Sequence, residues 1–148
     1  MLKGLDPLLS AELLWMLAAM GHGDELALVD ANHPAERIAR STASGRLVRL
    51  PGITTERAAA AILSVFPLDD FVAEPVRCME VVGNRSEIPP VQTDFATAAA
   101  QATGREVSIG ALERFQFYAA AEAAFGVVQT GEMRPYGCFL LRKGVITP

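Results

Sequence analysis

The sequence predicts an α/β fold, a single three-layer domain with a mostly parallel central sheet flanked by helices. Three observations carry that expectation. Apolar runs such as Leu26-Ala27-Leu28-Val29 are short enough to read as buried strands. Segments with helical apolar spacing alternate with them, which is the pattern of a parallel sheet covered by helices. Gly and Pro punctuate most junctions. At 148 residues, with no internal repeat or linker, the chain is expected to form one domain over 1–148.

Leu9, Leu13, Met16 and Met20 repeat at helical spacing and define a first helix with one buried stripe. Ser10 caps it, Leu9 and Leu14 form a staple across the cap, and Gly21 suits a left-handed stop. The strand Glu25 to Val29 follows. Residues 32–46 are polar and read as a loop with one turn of helix. Leu47 to Leu50 is a short strand before Pro51-Gly52. Thr54 or Thr55 then caps a helix with Ala58, Ile62 and Val65 on its apolar face. Pro67 and Asp69-Asp70 break that helix, and Val76 to Val82 reads as the next strand.

Pro89-Pro90 opens a helix through the alanine-rich segment 94–102, ended by Gly104. Ile109 and Gly110 are expected to lead into a helix carrying Leu112, Phe115, Ala119 and Ala123 on one face. Phe125 to Gln129 is a strand, Thr130 to Pro135 a loop, and Phe139 to Arg142 the last strand.

Hydrophobic residues make up 51% of the chain, and the mean hydropathy is positive. That apolar surplus points to a homo-oligomer. The 13 basic and 17 acidic residues give a net charge of −4. With no basic cluster, this argues against nucleic acid and anionic membranes as partners. No apolar stretch reaches the ~20 residues of a membrane span. Asp6, Pro7 and Glu12 interrupt the shape of a signal peptide. Cys78 and Cys138 are isolated from each other, so neither a disulfide framework nor a zinc knuckle is expected. A cytoplasmic location is the resulting expectation.

The stretch from Gly21 to Pro34 holds both histidines of the chain, His22 and His33, together with Asp24, Glu25 and Asp30. Histidine exchanges protons near neutrality, so His22 and Asp30 are the candidate acid–base pair. The structural alternative for His22 is interaction with the C-terminus of the first helix. At ~3.3 Å per residue, the intervening strand holds His22 and Asp30 too far apart to touch one sugar-sized ligand. A site shared between subunits, with His22 reaching the Asp30 pocket of a neighbour, reconciles the two. A metal held by His22, Asp24, Asp30 and His33 is the competing use, although neither metalloprotease spacing nor paired cysteines support it. Gly21-His22-Gly23 precedes a strand and lacks a third glycine, so it is not a dinucleotide fingerprint.

Arg114 and Tyr118 lie one helical turn apart, where they can bind hydroxyls or a carboxylate, or stand at the solvent edge and core rim. Glu113 and Glu122 read as solvated. Arg134-Pro135-Tyr136-Gly137-Cys138 forms a tight turn opening the last strand, with Tyr136 either at the mouth of the sheet or packed over the turn.

These residues carry a resemblance to the fucose mutarotase branch of the family that also contains ribose pyranase. The matching segments are Met1-Leu2-Lys3, Leu8-Leu9-Ser10, Met20 to Glu25, Asp30-Ala31-Asn32 and Arg114 to Tyr118. Thr130-Gly131-Glu132, Tyr136-Gly137 and Lys143-Gly144-Val145 complete them. Residues 35–105 match more loosely. The resemblance implies cofactor-free, metal-free interconversion of the α and β anomers of a pyranose, L-fucose in this branch. It implies that His22 is the proton donor and that Asp30, Arg114 and the Tyr136-Gly137-Cys138 turn bind the sugar. It also implies a ring, commonly a decamer, with sites between subunits. Two departures stand out: Cys138 replaces the usual asparagine of the turn, and His33 occupies a position more often apolar or aromatic. The alternatives are D-ribose pyranase activity and a non-catalytic sugar-binding ring protein.

Overall fold

The computed structural model describes residues 2–147. Met1, part of the first segment of the resemblance, lies outside them. The elements run α1 (Ala11–Ala19), β1 (Glu25–Val29), α2 (Ala35–Ala39), β2 (Leu47–Leu50), α3 (Thr55–Leu63) and β3 (Val76–Met79). They continue with α4 (Pro90–Thr103), β4 (Ile109–Leu112), α5 (Arg114–Glu122), β5 (Gly126–Thr130) and β6 (Phe139–Arg142). The sheet order is β2-β5-β1-β6-β3-β4. The pairs β2–β5, β1–β5 and β3–β4 are parallel, whereas β6 runs antiparallel to both β1 and β3. The mostly parallel sheet is therefore as the alternating pattern predicts.

Side chains alternate across β1 with the period of two that a pleated strand imposes. Leu26 and Leu28 join the core formed with α1, α3 and α4. Ala27 and Val29 face the opposite layer, with Ile38 of α2 and Phe117 and Ala121 of α5. Helices thus cover both faces, giving three layers. Phe95 of α4 stacks on Phe139 of β6 with ring centroids 3.7 Å apart.

Ser10 caps α1 by accepting from the Leu13 N–H at 3.2 Å. The α4 segment ends at Gly104 in the left-handed conformation, φ +72°. Five expectations are corrected. Gly21 is not the left-handed stop of α1: Met20 leaves the helix in an extended conformation, and the positive φ falls on Gly23. Ile109 and Gly110 do not enter a helix but pair as β4 with β3, Ile109 opposite Val76 and Gly110 opposite Arg77. The buried stripe of α5 is Phe117 and Ala121, leaving Phe115, Ala119 and Ala123 exposed. The strand opening at Val76 ends at Met79, three residues short of Val82. Val65 lies beyond α3 and is exposed.

Removing the Phe139 ring deletes half of the buried stack and leaves a cavity between α4 and the sheet. Phe139→Ala is expected to cost about 3–5 kcal/mol, measured as a lowered urea midpoint with an unchanged slope.

Candidate functional site

Two polar centres stand at the two ends of β1. At its N-terminal end the fully buried Asp69 organises the first. Its Oδ1 accepts the Phe71 N–H at 3.1 Å and lies 3.2 Å from His22 Nε2, while Arg142 Nε donates to Oδ2 at 3.0 Å. Burial by itself raises the pKa of Asp69. The Phe71 N–H, Arg142 and His22 outweigh that effect and hold the carboxyl below its ordinary value. Phe71 presents its ring edge to the imidazole at 5.6 Å between centroids. The His22 side chain keeps 46% exposure, so its ring is open to a ligand or a second chain.

Helix α1 does not rely on His22 for its C-terminus. Lys143 Nζ donates to the carbonyls of Leu17 and Met20 at 2.7 and 2.6 Å, placing a cation where the helix dipole favours one.

The second centre follows the C-terminal end of β1. Asp30 Oδ1 accepts the N–H groups of Asn32 and His33, each at 3.0 Å. The Cys138 thiol lies 3.4 Å from Oδ2 and also 3.7 Å from His33 Nδ1. Burial pushes the Asp30 carboxyl up, opposed by hydrogen bonds from Cys138, Asn32, Gly137 and His33. Burial, with a smaller contribution from the charge of Arg37, brings His33 down to about 4, so this imidazole is neutral at pH 7. Phe117 and Tyr118 pack against its ring.

The turn before β6 supplies the opposite wall. Tyr136 adopts φ +65°, a left-handed conformation uncommon outside glycine. Gln92 holds it there, donating through Nε2 to the carbonyls of Met79 at 2.8 Å and Tyr136 at 3.3 Å. Thr55 Oγ1 donates to the Gly137 carbonyl at 3.3 Å. A Cβ on Gly137 would meet Thr55 Oγ1 at 3.1 Å, so the packing behind the turn calls for glycine. The Tyr136 hydroxyl accepts the Val82 N–H at 3.3 Å. Arg134 is engaged outside the cavity by Glu132, Asp94 and Glu56, and its hydrogen bonds hold Glu132 at about 2.

Between these walls lies a cavity of about 190 Å³. Asp30, Arg114, Tyr118, Tyr136 and Cys138 all line it, joined by Asn32, His33, Met79, Val82 and Pro135. Five of the predicted site residues therefore converge. Gly137 stands behind the wall, and His22 is absent from the lining. The four candidate metal ligands are also divided, with His22 and Asp24 before β1 and Asp30 and His33 after it. Glu113, expected to be merely solvated, caps α5 by accepting the N–H groups of Phe115 and Gln116. Glu122 pairs with Arg37.

The sequence reading missed Asp69 at the first centre, having taken it as a helix breaker. It also missed His33 as a wall of the second. The spacing of His33 from Asp30 was a signal for the latter, since an Asp side chain commonly bonds backbone N–H groups two or three residues on.

A larger concavity of about 570 Å³ runs between the end of α3 and the C-terminal tail. Its charged residues Asp70 and Arg105 pair with each other, and in a further concavity of about 510 Å³ Arg85 and Glu80 likewise pair.

The fold and this cavity define an α/β protein with a small polar ligand site beyond the carboxyl end of a central strand. The chain belongs to the RbsD / FucU transport protein family, whose model matches residues 3–146. It is 40% identical over 145 residues to the L-fucose mutarotase of Haemophilus influenzae, covering 98% of this chain and 97% of that protein. It is 41% identical over 148 residues to the fucose mutarotase of Homo sapiens, covering 98% and 94%. The crystal structure of the Streptococcus pneumoniae fucose mutarotase in complex with L-fucose superposes with a TM-score of 0.87 at 32% identity, covering 99% of this chain and all of that one (100%).

The low pKa of buried His33 makes a sign-definite prediction. Between about 4 and the ordinary 6.5 the unfolded chain binds a proton that the folded chain refuses. The stability this histidine allows is complete above pH 6.5 and is lost as pH falls toward 4, on the order of 3 kcal/mol in all. Chemical denaturation of His33→Phe is expected to show a shallower loss of stability across that interval than the wild type.

Proposed function

We propose that this protein is a cofactor-free mutarotase that interconverts the α and β anomers of a pyranose, with L-fucose as its substrate. The observation that carries this reading is the cavity itself. Asp30, Arg114, Tyr118 and Tyr136 face a small space in a chain about 40% identical to an L-fucose mutarotase. Its volume is below the ~300 Å³ at which drug-sized sites begin, a scale suited to a monosaccharide.

Mutarotation opens the ring, lets the aldehyde turn and closes it on the other face. The anomeric hydroxyl loses a proton while the ring oxygen gains one, so an acid and a base must act on the same sugar. Asp30 is assigned as the base at the anomeric hydroxyl, aided by Tyr136. Burial that raises its pKa makes it the stronger proton acceptor. Arg114 and Tyr118 grip other hydroxyls and fix the pose. His22 is assigned as the acid toward the ring oxygen, reversing roles on closure.

Because β1 separates His22 from Asp30, His22 acts in the cavity of a neighbouring copy. The assembly we infer is a homo-oligomeric ring, a decamer, with sites between subunits. Support comes from the number of large apolar side chains left exposed, among them Leu2, Trp15, Phe71, Ile88 and Ile146, which a partner could cover. The two cysteines are both free and buried, which fits the reducing cytoplasm we assign to it. Among the described residues no helix is long and apolar enough to cross a membrane.

NMR exchange spectroscopy on L-fucose tests the reading. Wild-type protein is expected to accelerate anomer exchange, with His22→Ala and Asp30→Asn each lowering the rate by about 10²-fold or more while remaining folded. Full exchange in His22→Ala would remove His22 from the mechanism. Acceleration of ribose ring interconversion alone would move the protein to pyranase activity. Sugar binding without exchange would make it a binding protein.

A further inference from the structure

Two buried side-chain atoms of the cavity residues have no hydrogen-bond partner among the described residues: His33 Nε2 and Arg114 Nε. An unpartnered buried polar group is destabilising, so a pair of them in one cavity calls for an explanation. Arg114 Nε is a donor by chemistry. Whether His33 Nε2 donates or accepts depends on its tautomer, and its neighbours decide that.

The deciding neighbour is Cys138. Its sulfur lies 3.4 Å from Asp30 Oδ2 and 3.7 Å from His33 Nδ1. Asp30 as a carboxylate only accepts, and its Oδ1 already takes two backbone N–H groups. The one thiol proton therefore points to Oδ2. What remains on sulfur toward His33 is a lone pair, which requires a proton on Nδ1. A neutral imidazole has one N–H. Nδ1 takes it, and Nε2 is left a bare acceptor. The low pKa of His33 and the thiol pKa raised by burial keep both groups in the protonation states this chain of bonds needs.

We propose that His33 is a specificity-determining residue of the sugar site, its Nε2 accepting a hydrogen bond from one hydroxyl of the pyranose, with Cys138 as the positioning residue that fixes its tautomer. Arg114 Nε is the companion donor. An acceptor and a donor in one cavity match a polyol, whose hydroxyls donate and accept. They do not match an anion, which would leave His33 unpaired. Both atoms belong to side chains that line the cavity but are closed off from water, so a sugar supplies the missing partners once these side chains shift to admit its hydroxyls. The inference rests on the proposed sugar function and adds to it the group that reads one hydroxyl.

The test uses the full-length protein labelled with ¹⁵N, whose two histidines are distinguished by comparison with His33→Phe. Long-range ¹H–¹⁵N spectra at pH 7 are expected to show His33 protonated at Nδ1 and bare at Nε2. Cys138→Ala is expected to lose that preference. Saturating L-fucose should shift the His33 Nε2 resonance in the wild type. In exchange kinetics, His33→Phe is expected to raise KM for L-fucose about tenfold, the equivalent of about 1.4 kcal/mol, with a smaller effect on kcat. Among monodeoxy-fucoses, one analogue should give wild type and His33→Phe the same KM, because it lacks the hydroxyl that His33 reads. A proton on Nε2 overturns the inference, as does an Nε2 resonance unmoved by sugar in an enzyme that accelerates exchange. A sugar that binds and shifts Nε2 without exchanging keeps the inference and removes only the catalytic reading. Absence of any pyranose binding removes both.

Discussion

Strand β1 is hydrogen-bonded along both edges, parallel to β5 and antiparallel to β6, with Leu26 to Val29 wholly buried. A strand held that way is a rigid spacer: it can neither bend nor slip, because a one-residue shift would turn its core residues toward the opposite layer. Two polar centres are arranged about its two ends. His22, Asp69 and Arg142 occupy one, and Asp30, His33 and Cys138 the other. The separation between an exposed histidine and a buried carboxylate is therefore set by the backbone. Chemistry that needs both on one small ligand needs two chains.

The two ends are built differently. Asp30 is seated by backbone N–H groups and a thiol in a pocket that disfavours its charge. The Tyr136 turn opposite is held by Gln92 and Thr55, buried residues of α4 and α3. Such a site is pre-organised, with little freedom left to lose when a ligand arrives. At the other end, Asp69 is anchored from below while the His22 ring stands on the surface beside an exposed Phe71. That arrangement presents one oriented imidazole edge outward.

Much of this order was legible in residues whose signals are local. The short apolar run Leu26 to Val29 between Asp24 and Asp30 reads as a buried strand. Pro90 and Gly104 bounded α4 by the chemistry of helix ends, and the shared face of Arg114 and Tyr118 followed from spacing. What stayed illegible depends on distant partners. Ile109 to Leu112 contains glycine and alanine and has little strand propensity of its own; pairing with β3 makes it a strand. Phe115 looks like a core residue, yet it lies on the solvent side of α5 with the Arg114 guanidinium 4.8 Å from its ring centroid. Asp69 had no local signal, because its partners His22 and Arg142 come from other parts of the chain. His33 had no assigned place in the sugar site, because the Cys138 that folding sets against it is 105 residues away.

The central claim is that one active site draws His22 and Asp30 from different subunits. Co-assembling two inactive variants, His22→Ala and Asp30→Asn, tests it directly. In a mixed oligomer some interfaces pair the intact His22 of one chain with the intact Asp30 of the other. NMR exchange on L-fucose is then expected to recover a substantial fraction of wild-type anomer exchange, although each variant alone has almost none. Mixed oligomers that stay as inactive as their parents, with both variants folded and assembled, would contradict the account and place both residues in the service of a single chain.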